Sequence, residues 1–320
     1  MDGEKLKAAR AKLLKEFAGL ELRPFRTFAV RYALTMLPLV AIVTLAFIFP
    51  SVWIFVTIAI TAGFTQNGLG VLMHEGSHYF FHRNRKANDV ITDFLVCLPI
   101  VNTVEGYRRP HLDHHRHSGE EVDPYYEIYA DYDGPMDVVR GLVRDLTGIS
   151  AVRLGLTRYL LKGGGKTPAS RPSRGPWYTL PGLLVVQSLI LLIMWRLTGS
   201  LVGYFLLWLL PLVTIPIAIN RFRTIVEHYP GFMGIRPNRT TLTGLIDYLC
   251  VAPYGYGHHY EHHLVPILPY HCLAWAHGVL EREGVEFTEN ELNTYGYCHT
   301  FWRMMREMRA LQLRKRETPR

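Results

Sequence analysis

Two long apolar blocks, each free of charge except at a single break, constrain this chain more than any other feature. From Tyr32 to Phe49 it reads YALTMLPLVAIVTLAFIF; Pro50-Ser51 interrupts the run, and Val52 to Met73 continues it. The second block runs from Tyr178 to Trp195, breaks at Arg196-Leu-Thr-Gly-Ser200, and resumes from Leu201 to Asn220. Each piece is 18 to 22 residues long, close to the ~20 that a helix needs to cross the hydrocarbon. Breaks this short suit helical hairpins, so the sequence predicts four transmembrane helices. Half of the 320 residues are apolar (49%) and only 19% are charged, which excludes disorder as the main state.

Charge placement sets the orientation. Of the 35 lysines and arginines only Arg196 lies in the two short turns. The rest lie in the N-terminal arm, in the loop 74–177 and after residue 220. The positive-inside rule puts all three segments in the cytoplasm. A net charge of +8 is therefore read as a topology signal. No aromatic-interleaved basic stripe or nucleic-acid motif accompanies it, so no nucleic-acid partner is expected. The chain is predicted to be all-α and integral to the membrane. An N-terminal amphipathic arm (1–31) lies on the membrane surface, with Leu6, Leu13, Leu14 and Phe17 on one flank. The hairpins occupy 32–220 with their large cytosolic loop 74–177, and a cytosolic C-terminal cap takes 221–320. The stretch 90–104 is apolar but too short to span, so it reads as interfacial or re-entrant. The glycine- and proline-rich run 162–177 reads as a linker. Cys97, Cys250, Cys272 and Cys298 lie far apart, which excludes a disulfide framework, a zinc ribbon and a cysteine-ligated cluster.

The 15 histidines are not spread evenly. His74-Glu-Gly-Ser-His78 stands where the second span leaves the membrane, with both imidazoles on one helical stripe. His111-Leu-Asp-His114-His115 lies in the large loop and His259-Tyr-Glu-His262-His263 in the C-terminal region; in each, three imidazoles share a helical face. His228 closes the segment Arg223-Thr-Ile-Val-Glu-His228 just after the fourth span. Eight clustered histidines plus one exceed what a single metal accepts. Two metals sharing the set, with four or five nitrogens each, is the economical reading. Imidazole donors suit iron, zinc, copper and nickel; the absence of thiolates beside a membrane favours a redox metal that handles dioxygen. His82, His117 and His258 adjoin the clusters and are expected in structural roles. Asp93, Asp113, Glu75, Glu227 and Glu261 lie in or near them, either to hold the outer N–H of a ligand imidazole or simply as solvated or capping groups.

The motifs HEGSH, HLDHHRHSGEEVDPY, RTIVEH and HYEHHLVPILPY, in this order and topology, resemble the membrane fatty acid desaturase superfamily, which also contains hydroxylases and carotenoid ketolases. The resemblance covers one domain of about residues 30–275. It implies a cytosolic helical cap over an iron pair ligated by His74, His78, His111, His114, His115, His228, His259, His262 and His263, with dioxygen as co-substrate. Some relatives place an asparagine four residues before the isolated ligand, where this chain has Thr224. His259 stands where front-end desaturases carry glutamine. The fused cytochrome b5 signature His-Pro-Gly-Gly is absent, which implies an external electron donor of ferredoxin, rubredoxin or cytochrome b5 type. The leading expectation is an O2-dependent lipid (fatty acyl) desaturase. A hydroxylase or ketolase acting on an alkyl, sphingoid or carotenoid chain is the alternative, and no residue separates the two. A metal transporter is disfavoured because the middle of every span lacks charge and histidine; a zinc hydrolase needs far fewer histidines. The expected location is a bacterial inner membrane, with both termini cytoplasmic.

Overall fold

The computed structural model describes residues 3–130, 132–160, 176–229, 238–288 and 291–317; the expected linker 162–177 lies almost wholly outside them. Among the described residues four helices are long and apolar enough to cross a membrane: α2 (Pro24–Ile48), α3 (Val52–Ser77), α9 (Thr179–Thr198), and Leu201–His228. The last is α10 (Leu201–Tyr204) and α11 (Leu210–His228) joined through a π turn at Phe205–Leu209. The breaks between paired spans end and restart helices by local chemistry. Ser51 Oγ accepts from the Ile54 N–H and Ser200 Oγ from the Val202 N–H, each capping a helix start. Gly199, at φ 70°, supplies the left-handed residue that closes α9.

The chain divides into two compact units. The membrane unit comprises Pro24–His114 and Val139–Arg221. Its apolar core joins Leu39 and Ala46 of α2, Ile58 and Ala62 of α3, Met194 of α9, and Tyr204, Leu207 and Trp208. Gly63 lets α3 approach α11 closely, since a Cβ there would lie 2.4 Å from Ile215 Cδ1; small residues serve this purpose between membrane helices. The short apolar stretch reads out as α4 (Arg85–Thr92), extended by a π turn (Asp93–Cys97) and a 3-10 turn (Leu98–Ile100), then α5 (Val104–His117). The chain bends by 93° between the two arms, with Val101 left-handed at φ 55°. Side chains of the spans satisfy the carbonyls the bend exposes. Gln187 Nε2 donates to Leu98 O (2.6 Å) and Pro99 O (3.0 Å), and Trp208 Nε1 donates to Pro99 O (3.1 Å). Tyr204 in turn donates to Gln187 Oε1 at 2.7 Å. Unpaired carbonyls in an apolar setting cost free energy, so these partners allow the bend.

The second unit comprises Met1–Arg23, His115–Val138 and Phe222–Arg320. Here α1 (Gly3–Ala18) buries Leu6, Ala9 and Leu13 against α13 (Tyr270–Arg282), and a Lys12–Glu283 ion pair adjoins the contact. The apolar flank read as facing the membrane is thus covered largely by protein. The short α6 (Tyr126–Tyr129) follows the second histidine motif, and α12 (His259–Leu264) carries the third. A two-residue parallel ladder pairs β1 (Thr240–Thr241) with β2 (Leu292–Asn293). The long α14 (Gly296–Glu317) buries Tyr297, Met304 and Met308. The helix α7 (Pro135–Leu146) begins in this unit and ends in the membrane unit, to which α8 (Ile149–Leu160) belongs.

Candidate metal centre

In the membrane unit the first and second motifs meet. His74 occupies the last turn of α3 and His78 is its C-cap residue. His78 Nε2 lies 3.0 Å from His111 Nε2, and the His74 and His111 rings are 4.2 Å apart at their centroids. One nitrogen from each of His74, His78 and His111 falls within 4.8 Å of the others. His111, His114 and His115 ride on α5, with His114 buried a turn beyond His111. Burial, reinforced by the positive charge of Arg108, holds the His78 imidazole down to about 4. It is neutral at pH 7, the form in which imidazole offers a lone pair to a metal.

Arg108 fixes this group. It lies on α5, one turn before His111, and is almost wholly buried. Its Nε donates to Ser77 O at 2.8 Å and its Nη2 to Gly76 O at 3.3 Å. These are terminal carbonyls of α3 that have no partner within that helix. The guanidinium also forks onto both oxygens of Asp89, with Nη1 at 3.1 Å from Oδ2, and lies over the Tyr79 ring. From α4, Asn88 donates to Gly76 O at 2.8 Å and accepts from the Phe81 N–H at 3.0 Å. The end of α3, and with it His74 and His78, is thereby tied to α4 and α5. Neither Arg108 nor Asn88 was singled out by the sequence reading; the only signal for Arg108 was its position three residues ahead of His111.

In the second unit two groups form. His228 Nε2 lies 2.8 Å from His259 Nε2, which lies 3.1 Å from His263 Nε2. His115 Nε2 lies 3.0 Å from His262 Nε2, and the His115 and His263 rings are 4.4 Å apart. Nitrogens this close are near the separation that ligands adopt around one ion with bonds of about 2.0–2.1 Å. Two neutral rings satisfy such a contact only when one donates to the other. His259 Nε2 faces two imidazole nitrogens at once, an arrangement a shared cation satisfies better than ring protons do.

The acidic residues near the motifs divide. Glu227 Oε1 accepts from the Tyr297 hydroxyl at 2.7 Å, and its other oxygen sits 3.8 Å from His259 Nε2 and 3.6 Å from Arg223. Burial pushes the Tyr297 phenol well up, so it stays a donor. Asp93 instead accepts from the Val104 N–H at 2.7 Å and the Tyr178 hydroxyl at 3.0 Å, capping α5. Glu261 is fully buried, accepting from Thr240 Oγ1 and lying 2.5 Å from His277 Nδ1. Glu75 pairs with Arg31 at 3.6 Å. His277, to which the sequence reading gave no role, is held above its ordinary value. Burial alone lowers it, but the hydrogen bond and charge of Glu261, with Glu281, outweigh that. His82 accepts from the Asn84 N–H and His117 pairs with Glu120.

A sequence model of the fatty acid desaturase family matches residues 50–290. Over 209 residues the chain is 26% identical to a beta-carotene ketolase from Paracoccus sp. (strain N81106 / MBIC 01143), a match covering 63% of this chain and 71% of that protein.

Proposed function

Because this chain belongs to the fatty acid desaturase family, and is thereby an oxidoreductase of the desaturase-like di-iron oxygenase type, we propose that it inserts a double bond into the acyl chain of a membrane lipid at the expense of dioxygen. Two iron ions are assigned to His74, His78, His111, His114, His115, His228, His259, His262 and His263. The observation that carries this reading is the convergence of Nε2 atoms at 2.8–3.1 Å within each unit. An all-imidazole donor set, neutral at His78, fits iron. When bound, the iron pair supplies reductive dioxygen chemistry strong enough to remove hydrogen from an unactivated C–H bond.

The protein's own work is placement. Arg108 and Asn88 hold the end of α3 so that His74 and His78 face α5. Tyr297 keeps its proton and donates a hydrogen bond to Glu227 Oε1, leaving the second carboxylate oxygen toward His259. For desaturation the balance is one dioxygen, two electrons, two protons and two hydrogens of the chain, giving an alkene and two waters. The electrons come from a separate carrier of ferredoxin, rubredoxin or cytochrome b5 type, for which the basic cytoplasmic segments offer a complementary surface. The positive-inside asymmetry supports cytoplasmic placement of both termini, and the short turns between paired spans suit a bacterial inner-membrane location.

A second reading is favoured by one observation, the similarity to a beta-carotene ketolase. Under it the same site inserts oxygen into an apolar chain, giving an alcohol or ketone. Mass spectrometry of lipid extracts from cells expressing the chain or its His114→Ala variant decides between them. A product two hydrogens lighter, absent in the variant, supports the desaturase. A product gaining oxygen supports the ketolase or hydroxylase. Protein that binds zinc alone, and turns over nothing with a supplied reductase system, sinks both.

A further inference from the structure

The resemblance and the comparisons leave open how His228, the one site histidine outside the three motifs, is aimed. It is buried at the last turn of α11. Its Nε2 faces His259 Nε2 at 2.8 Å. Its other nitrogen, Nδ1, faces Ser118 Oγ at 3.5 Å, and Ser118 lies just after the second motif. Ser118 Oγ donates to Asn238 Oδ1 at 3.1 Å. A hydroxyl carries one hydrogen. With that hydrogen directed at Asn238, Ser118 presents only lone pairs to His228. The imidazole then keeps its proton on Nδ1 and leaves the lone pair on Nε2, the nitrogen turned toward His259 and His263.

The surroundings hold this arrangement from two sides. The residue beside Asn238 is Arg239, whose buried guanidinium donates to Val226 O at 2.7 Å and Tyr229 O at 2.6 Å. Its backbone N–H donates to Glu227 O at 3.1 Å. These carbonyls close the helix from which His228 projects, so Asn238-Arg239 grips backbone and ring tautomer together. On the other side the Tyr129 ring lies 5.2 Å from the His228 ring. Its hydroxyl donates to Asp123 and accepts from the Gly119 N–H at 2.9 Å. The segment following the second motif is thereby folded into a wall behind His228.

We propose that Ser118 and Asn238 are positioning residues that set the tautomer and aim of His228 as a metal ligand. The inference rests on the dimetal reading above and adds how its isolated ligand is controlled. At 3.5 Å the Ser118–His228 contact is long, so its role is to fix direction. Partners behind a metal-bound imidazole are worth roughly 10- to 100-fold in metal affinity.

The test is an anaerobic ferrous-ion titration of the full-length, chelator-stripped protein in detergent, with helical content and melting temperature recorded for every variant. Ser118→Ala and Asn238→Ala are expected to weaken one of the two binding events about 10-fold or more. Ser118→Thr and Asn238→Asp, which keep the hydroxyl and its acceptor, are expected to retain affinity. Asn238→Ala is the discriminating variant. It leaves His228 and Ser118 untouched but frees the hydroxyl hydrogen to turn toward Nδ1. Wild-type affinity in both alanine variants overturns the proposal, as does a His228→Ala variant that still takes up two irons normally. A wild-type protein that takes up no iron overturns the dimetal reading itself. Should Ser118→Ala lose its fold, the two Asn238 variants decide.

Discussion

Arg108 is the side chain on which the histidine geometry of the membrane unit most depends, because one guanidinium satisfies two helix-end carbonyls and a carboxylate at once. Replacing it with leucine removes the guanidinium's bonds to Ser77 O and Gly76 O and takes the cation from Asp89, while Asn88 still serves Gly76 O. The expected cost is about 2 kcal/mol or more, read as a lower melting temperature together with reduced iron content. Arg108→Lys rescues only part of it, since an ammonium cannot reproduce the planar fork. His277 carries a pH prediction. Its folded value is raised by Glu261 and Glu281 against the lowering effect of burial. The protonated form is therefore preferred in the folded protein, and the stability it brings is fully present below about 6.5 and lost as pH rises through the raised value. His277→Gln flattens the fall in melting temperature above pH 6.5; an unchanged slope contradicts the assignment. The histidine clusters were legible in the sequence because the proposed metal ligation demands one residue type at helical spacing, and the structure groups those residues. Arg108 and Ser118 were not, because what they contact is distant along the chain: Arg108 reaches Ser77 and Ser118 reaches Asn238. For Asp93 the sequence left two roles open, an imidazole partner or a cap, and the bend gives it the second, a helix N-terminus to cap.

At the scale of elements, α3 and α4 meet through a contact that only glycine permits. A Cβ at Gly76 would lie 2.4 Å from both Thr92 Cγ2 and Oγ1, so Gly76→Ala must push α4 off the helix end that carries His74. An overpacking cost of about 1–3 kcal/mol is expected, accompanied by loss of iron. Retention of both stability and iron would show that α4 does not position the site. The bent segment depends on Gln187, whose amide serves two carbonyls of the 3-10 turn. Gln187→Leu is expected to lower stability by about 1 kcal/mol, measured as a shift in thermal unfolding in detergent. The four spans were legible from length and hydropathy, which follow directly from bilayer thickness. The 93° bend was legible only as a stretch too short to cross, since its geometry comes from Gln187 and Trp208 on other helices. The N-terminal arm was legible as amphipathic, but periodicity cannot say what covers an apolar flank; α13 covers much of it.

At the scale of the whole molecule, the asymmetry of basic residues and the four spans predict that reporters fused to either terminus are accessible from the cytoplasm. A reporter in the turn containing Arg196 is expected on the opposite side, and opposite sides for the two termini would contradict the topology. The proposed function makes one central claim: histidines from widely separated parts of the chain hold two irons at the cytoplasmic face and direct dioxygen onto a lipid chain. The most direct test is elemental analysis of the purified full-length protein, expressed in iron-replete cells and compared with its His114→Ala variant. The account predicts two irons per wild-type chain and fewer in the variant. Zinc in place of iron, or an iron content that the variant leaves unchanged, would contradict it.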